Sequence, residues 1–209
     1  WGTAQASGQG VRRNYREAAR WFRKAAEQGL AMAQYNLGYL YAYGRGVPKD
    51  ENAAIDWYSR AANQGLADAQ YSLGWTYLNS KGENQSDTKA VHWFEKAAEQ
   101  DNHKAQNNLA YMYAEGRGYA QDPVKAVQWY NRAAERGYAE AQYNLGFMYE
   151  QGRGVPQDYN KAVEWYRKAA EQNEPAAQYS LGLMYDQGTG VPRNFCLLYT
   201  SPSPRDGLL

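Results

Sequence analysis

Cysteine is almost missing from this 209-residue chain: there is one, Cys196. That leaves no disulfide framework and leaves the redox compartment open. Histidine is nearly as scarce, with only His92 and His103. Neither stands in an acid-partnered, metal-ligating or nucleophile-activating pattern, so no catalytic residue, no metal ligand set and no cofactor is expected. Long apolar runs are absent as well; nothing approaches the roughly 18 to 20 residues a spanning helix needs, which excludes direct membrane insertion by a helix of this stretch. Nor is there a charge excess. Lys and Arg number 23 against 22 Asp and Glu, and the two signs interleave, so no nucleic-acid partner is expected: neutralising phosphates takes a clustered cationic excess.

What is abundant is aromatic. Twenty Tyr and seven Trp stand against four Phe, side chains that bury a ring and keep a polar tip for hydrogen bonding. They recur with a period. Trp falls at 21, 57, 93, 129 and 165, always 36 residues apart. The same interval separates Ala33-Gln34, Ala69-Gln70, Ala105-Gln106, Ala141-Gln142 and Ala177-Gln178, and it separates the Ala-Ala doublets that begin at 25, 61, 97, 133 and 169. A fixed period of this length is the mark of a repeat architecture. Full repeats run 29–64, 65–100, 101–136 and 137–172, with half repeats at 1–28 and 173–194, so the array is expected to be cut at both ends.

Each repeat predicts two helices. Ala33, Leu37, Leu40 and Tyr41 share one stripe of a helix A; Ala54, Trp57, Tyr58, Ala61 and Ala62 share one stripe of a helix B. Isolated helices of about 12 to 15 residues are marginal in water, so the stripes must be buried by stacking. Before helix B the registers carry Asn14, Asp50, Ser86, Asp122, Asp158 and Asn194, a column of N-caps, and Pro123 follows at a first helical position. The turn from B to the next A carries Gly29, Gly65, Asp101, Gly137 and Asn173, types that tolerate a left-handed backbone. Between A and B lie the glycine-rich loops Gly44-Arg45-Gly46-Val47-Pro48, Gly116-Arg117-Gly118, Gly152-Arg153-Gly154-Val155-Pro156 and Gly188-Thr189-Gly190-Val191-Pro192. Without a preceding strand or a Lys-Ser or Lys-Thr pair these are turns and not phosphate cradles. The third register, Ser80-Lys81-Gly82-Glu83-Asn84-Gln85, predicts a loop of different shape.

The run from Ala139 to Glu171 reads Ala-x-Ala-Gln-Tyr-Asn-Leu-Gly-x-Met-Tyr, then Gly-x-Gly-Val-Pro-x-Asp, then Lys-Ala-Val-x-Trp-Tyr-x-Lys-Ala-Ala-Glu. This resembles the Sel-one-like repeat (SLR) family, a longer-loop relative of the tetratricopeptide repeat, over residues 2–194. The resemblance implies an all-α fold, a right-handed α-solenoid of antiparallel helix pairs with a concave A face and a convex B face. It implies scaffold or adaptor roles, in bacteria often at the envelope or against host proteins and in eukaryotes in endoplasmic-reticulum quality control, and no single activity. It leaves the compartment open between periplasmic or secreted and cytoplasmic. Unlike relatives that staple each repeat with a disulfide, this array carries no cysteine within 1–194.

Constant columns have packing explanations. Gly38, Gly74, Ala110, Gly146 and Gly182 let A and B approach; the Trp column is expected in the core; the Gln column is expected to hydrogen-bond backbone in the adjoining turn. Partner choice must then reside in what varies. Carrying over the concave positions through the shared Leu-Gly-x-x-Tyr register, the partner-binding face is expected to hold Tyr35, Tyr39, Tyr43, Tyr71, Trp75, Asn79, Asn107, Tyr111, Glu115, Tyr143, Phe147, Gln151, Tyr179 and Leu183. One column, Tyr39, Trp75, Tyr111, Phe147 and Leu183, presents large apolar groups that stacking does not demand. Asp68, Lys104, Glu115, Glu140, Glu150 and Asp186 give that face an acidic excess, with Arg45, Lys49, Arg117, Arg153 and Arg193 out on the loops. The expected partner is a protein or peptide segment with apolar anchors and some basic character.

After Asn194 the repeat fails. Pro202 and Pro204 forbid the expected helix B, and Cys196 to Asp206 resembles a translated transposase sequencing adapter, so residues 195–209 are expected to be a non-native tail. Three function classes follow: an interaction scaffold first, then the recruiting segment of a larger enzyme, then an envelope carbohydrate or peptidoglycan binder that stacks sugars on the aromatic rows with amides such as Asn79, Asn107 and Gln151 beside them.

Overall fold

A computed structural model describes residues 14–191. The N-cap Asn194, loop residues Pro192 and Arg193, and the tail 195–209 lie outside the described residues, as do residues 1–13 of the first half repeat. Ten α-helices are described: α1 (Tyr15–Glu27), α2 (Ala31–Tyr43), α3 (Glu51–Asn63), α4 (Ala67–Asn79), α5 (Asp87–Glu99), α6 (His103–Glu115), α7 (Pro123–Glu135), α8 (Ala139–Gln151), α9 (Tyr159–Glu171) and α10 (Pro175–Gln187). Odd-numbered helices are the B helices and even-numbered ones the A helices. A 3-10 turn, Gly82–Asn84, lies between α4 and α5, and no strand occurs among the described residues. The chain gathers into two compact units divided between Ala105 and Gln106. In the first, α1 to α5 pack consecutively; in the second, α7 to α10 do.

The expected punctuation is present. Asn14, Asp50, Ser86, Asp122 and Asp158 each accept a hydrogen bond from a first-turn backbone N–H of the following B helix. Left-handed residues end the B helices, including the non-glycines Asp101 (φ 64°) and Asn173 (φ 63°). The loop glycines do more than turn. A Cβ on Gly46 would stand 2.3 Å from the Tyr15 carbonyl oxygen, and one on Gly154 would stand 2.2 Å from that of Pro123. The loops at Gly46 and Gly154 thus rest on the first turn of the preceding B helix, which only a bare Cα permits.

The core is made by the apolar stripes. Leu37, Leu73, Leu109 and Leu145 are wholly buried, as are Ala54, Ala90, Ala126 and Ala162 on the B helices. Burying a Leu side chain stabilises by about 1.5–3 kcal/mol. The Gln column stitches the stack: Nε2 of Gln34, Gln70 and Gln142 donates to the carbonyls of Ala26, Ala62 and Ala134 at 3.0–3.1 Å. Their Oε1 atoms in turn accept from Gln64, Gln100 and Gln172, each at 2.7 Å. One side chain therefore joins the B helix before it to the B helix after it.

The Trp column corrects the sequence reading. Trp57, Trp93, Trp129 and Trp165 are only half-buried and Trp21 is exposed; the buried ring is the next residue, Phe22, Tyr58, Phe94, Tyr130 or Tyr166. The indoles lie at the outer edge of the stripe, each beneath a cation three residues on, Lys24, Arg60, Lys96, Arg132 or Lys168, at 3.9–5.0 Å.

Candidate partner-binding groove

The third register departs from its neighbours in three places that together open a groove. Where α2, α6, α8 and α10 bury Leu40, Met112, Met148 and Met184, α4 carries the small polar Thr76, whose hydroxyl donates to the Ser72 carbonyl. Where α2, α8 and α10 end in a left-handed glycine, α4 ends at Ser80 in extended conformation, its Oγ donating to the Thr76 carbonyl. The following chain bends away through the 3-10 turn, and Asn84 reaches back to Glu51 and Asn52. The differently shaped loop is as expected. The result is a groove of about 810 Å³ in the first unit.

Tyr35, Tyr39 and Tyr43 of α2 form one wall, and Tyr71, Trp75 and Asn79 of α4 form the other, with Tyr58 and Ala54 of α3 between them. Spacing of i, i+4 along each A helix pairs the rings: Tyr39 and Tyr43 have centroids 4.6 Å apart, and Tyr71 stacks with Trp75 at 6.4 Å. Below them Tyr35 meets Tyr58 at 5.8 Å, and Tyr71 meets Phe94 at 5.9 Å. Burial raises the Tyr58 and Tyr35 hydroxyls above the ordinary tyrosine range, so both rings stay neutral. Trp75 is 44% exposed and Tyr43 59%. Six of the fourteen sequence-derived residues are therefore brought together here.

Four more, Tyr111, Glu115, Tyr143 and Phe147, line a smaller hollow of about 190 Å³ in the second unit, with Tyr130, Asn144, Met148 and Arg153. The remaining four are elsewhere. Gln151, Tyr179 and Leu183 are exposed and line neither hollow. Asn107 is 3% exposed, its Oδ1 accepting from Asn144 Nδ2 at 2.9 Å; it is a packing residue and not part of an open face.

Electrostatics differ from the expectation in two respects. Loop arginines fold onto the face: the Arg45 guanidinium lies over the rings of Tyr15, Tyr39 and Tyr43 at 5.2–5.7 Å. Arg153 donates to the Ala114 carbonyl at 2.8 Å and to Glu115 at 3.0 Å. Nor does an acidic excess appear in the first-unit groove, where Lys49, His103 and Lys104 accompany Glu51 and Asp68. In the second unit Glu115 is taken by Arg153, and Glu150 accepts the hydroxyl of Tyr166. Sequence reasoning missed Asn102 and His103, and it counted Lys104 into an acidic face and left Lys49 out on a loop without bringing the two together. Their signal was the variation itself: Lys49 replaces the Gln of 85, 121 and 157, and Lys104 replaces the acids of 68 and 140.

The Sel1 repeat model matches residues 1–30, 31–66, 67–102, 103–138, 139–174 and 175–195. The chain belongs to the Sel1-repeat family. Sel1-repeat chains are in general non-catalytic scaffolds for protein–protein interaction. A protective antigen of uropathogenic Escherichia coli with an SLR fold is similar at 37% identity and TM-score 0.86 over 92% of this chain. This chain spans 41% of that protein's length. A Sel1 repeat protein of Oxalobacter formigenes is similar at 36% identity and TM-score 0.84, covering 92% of this chain and 77% of its own. An immunity protein from Pseudomonas aeruginosa is more distant, at 26% identity and TM-score 0.55 over 88% of this chain and 68% of its own. No curated protein matches the chain. As in these Sel1 relatives, the fold is all-helical and built from consecutively packed helix pairs.

Proposed function

We propose that this Sel1-repeat chain is a scaffold that receives a segment of another protein in the groove between α2 and α4. The observation that carries the reading is the pair of aromatic walls, Tyr39 with Tyr43 and Tyr71 with Trp75, held open on helices whose opposite faces are locked into the core. Rigid, partly exposed Tyr and Trp rings in a concave site give large contact area for little lost entropy, the usual composition of interface hot spots. The smaller hollow at Tyr111, Tyr143 and Phe147 suits one apolar side chain.

The carbohydrate reading loses support from the amides it requires. Asn79 donates to the Trp75 carbonyl, Asn107 is buried against Asn144, and Gln151 lies outside both hollows.

The test is capture of partner proteins by the whole chain beside a Tyr39→Ala, Trp75→Ala variant and a Trp129→Ala control, each shown to be folded by circular dichroism. Partners retained by the parent and by the control but lost by the groove variant support the reading; equal retention by all three refutes it.

A further inference from the structure

Of the two uncommitted cations of the first-unit groove, Lys104 is the one cation of its register, and Lys49 stands where 85, 121 and 157 carry Gln while 13 and 193 carry Arg. Gln121 and Gln157 donate through Nε2 to the carbonyls of Ala114 and Glu150 at 2.7 and 2.8 Å, tying the loop to the end of the A helix before it. In the same register the groove has Lys49, which no hydrogen bond or ion pair engages among the described residues. Lys104 occupies the second position of α6, where α4 has Asp68 and α8 has Glu140. A cation in the first turn of a helix opposes the helix dipole and costs stability, so local folding does not call for it. It too is unengaged among the described residues. The departure from that local rule at Lys104, in a groove that Lys49 also lines, points to function.

The acids of the groove are in the opposite condition. Asp68 accepts from Asn102 Nδ2 at 3.2 Å, and Glu51 accepts from Asn84 Nδ2 at 3.1 Å. Each also lies in the first turn of its helix, where a carboxylate is already stabilised. Each acid thus has a hydrogen-bond partner within the chain, whereas Lys49 and Lys104 line the same groove without one among the described residues. Arg45, over Tyr39 and Tyr43, adds a third cation beside the same wall.

We infer that the occupant of this groove is an acidic protein segment, with Asp or Glu side chains flanking apolar or aromatic anchors that pack on Tyr39 and Trp75. The inference rests on the groove being the partner site, and it reverses the basic character expected from sequence. Carboxylates would take the places that Lys49 and Lys104 leave open, and the rings would bury the residues between them.

The test uses the whole chain and three short capped fluorescent peptides that share a Leu-Phe core flanked by Glu, Ser or Lys, read by fluorescence anisotropy. The Glu peptide should bind about tenfold or more tightly than the Lys peptide, with the Ser peptide between them and the gap narrowing as salt is raised. A Lys49→Glu, Lys104→Glu chain should invert the order. Lys49→Gln, which copies the residue at 121 and 157, should stay folded and lose part of the Glu preference. Equal binding of the Glu, Ser and Lys peptides, lost on Trp75→Ala, would overturn the acidic-segment inference while leaving the groove reading intact. A Lys preference, no binding by any peptide, or an unchanged order in the charge-reversed chain would also overturn it.

Discussion

Tyr58 lies across Gly38 so closely that a Cβ on the glycine would stand 2.7 Å from the ring's Cδ1. Gly74 with Phe94 and Gly146 with Tyr166 repeat the relationship at 2.8 Å. The missing side chain on helix A is what seats the buried ring of helix B, and that ring in turn floors the groove. Gly38→Ala should therefore destabilise by about 1–3 kcal/mol through overpacking. Gly65→Ala should cost only the strain of a left-handed residue, roughly 1–2 kcal/mol, because nothing lies within 4 Å of its Cβ position. Urea unfolding of the two variants checks the order.

Gln34→Ala removes both the donor to the Ala26 carbonyl and the acceptor for Gln64. With the site 5% exposed, a loss of about 1–3 kcal/mol is expected. A double-mutant cycle with Gln64→Ala should show coupling, since the two side chains are one hydrogen-bonded chain.

Leu73 and Trp75 are two residues apart on α4 and should behave oppositely. Leu73 is fully buried, and Leu73→Ala should cost about 2–5 kcal/mol. Trp75→Ala should leave the melting temperature almost unchanged and abolish partner capture. A large stability loss at Trp75 would mean that its ring is structural.

High pH should unfold the protein. Burial raises the hydroxyls of Tyr58, Tyr130 and Tyr166 above the ordinary tyrosine range; Glu150, which accepts the Tyr166 hydroxyl, raises that one further. Their folded pKa values exceed the unfolded ones, so the native state holds protons that the unfolded chain releases. Stability is then fully present below about pH 10 and is lost as pH rises above it. Phenolate absorbance followed during alkaline titration should show the buried hydroxyls of Tyr58, Tyr130 and Tyr166 ionising only with the loss of helical dichroism. Tyr58→Phe should make stability less sensitive to alkali.

What the sequence made legible was whatever local chemistry determines. N-caps, left-handed turn residues and the 36-residue period are set by neighbours in the chain, and Asp50, Asp101 and Gly46 are found as expected. The Trp misreading has a geometric cause. Trp57 and Tyr58 are 100° apart on a helix, and periodicity cannot say which of two adjacent rings points inward. Packing decides it: Ala54, Tyr58 and Ala61 are all nearly or fully buried. Asn107 was misplaced because its register holds tyrosine at 35, 71, 143 and 179; a short amide in that position does not reach the surface and pairs inward with Asn144. The folding of Arg45 and Arg153 onto the face depends on loop conformation, which no helical periodicity encodes.

In the proposed scaffold, partner proteins lie against the wall formed by Tyr71 and Trp75. A photo-crosslinking amino acid placed at position 75 of the whole chain, compared with one at the outer-face position of Arg132, tests it most directly. Crosslinks from 75 to a partner segment, with none from 132 and with loss on Tyr39→Ala, are the expected result; crosslinks from 132 alone would contradict the account.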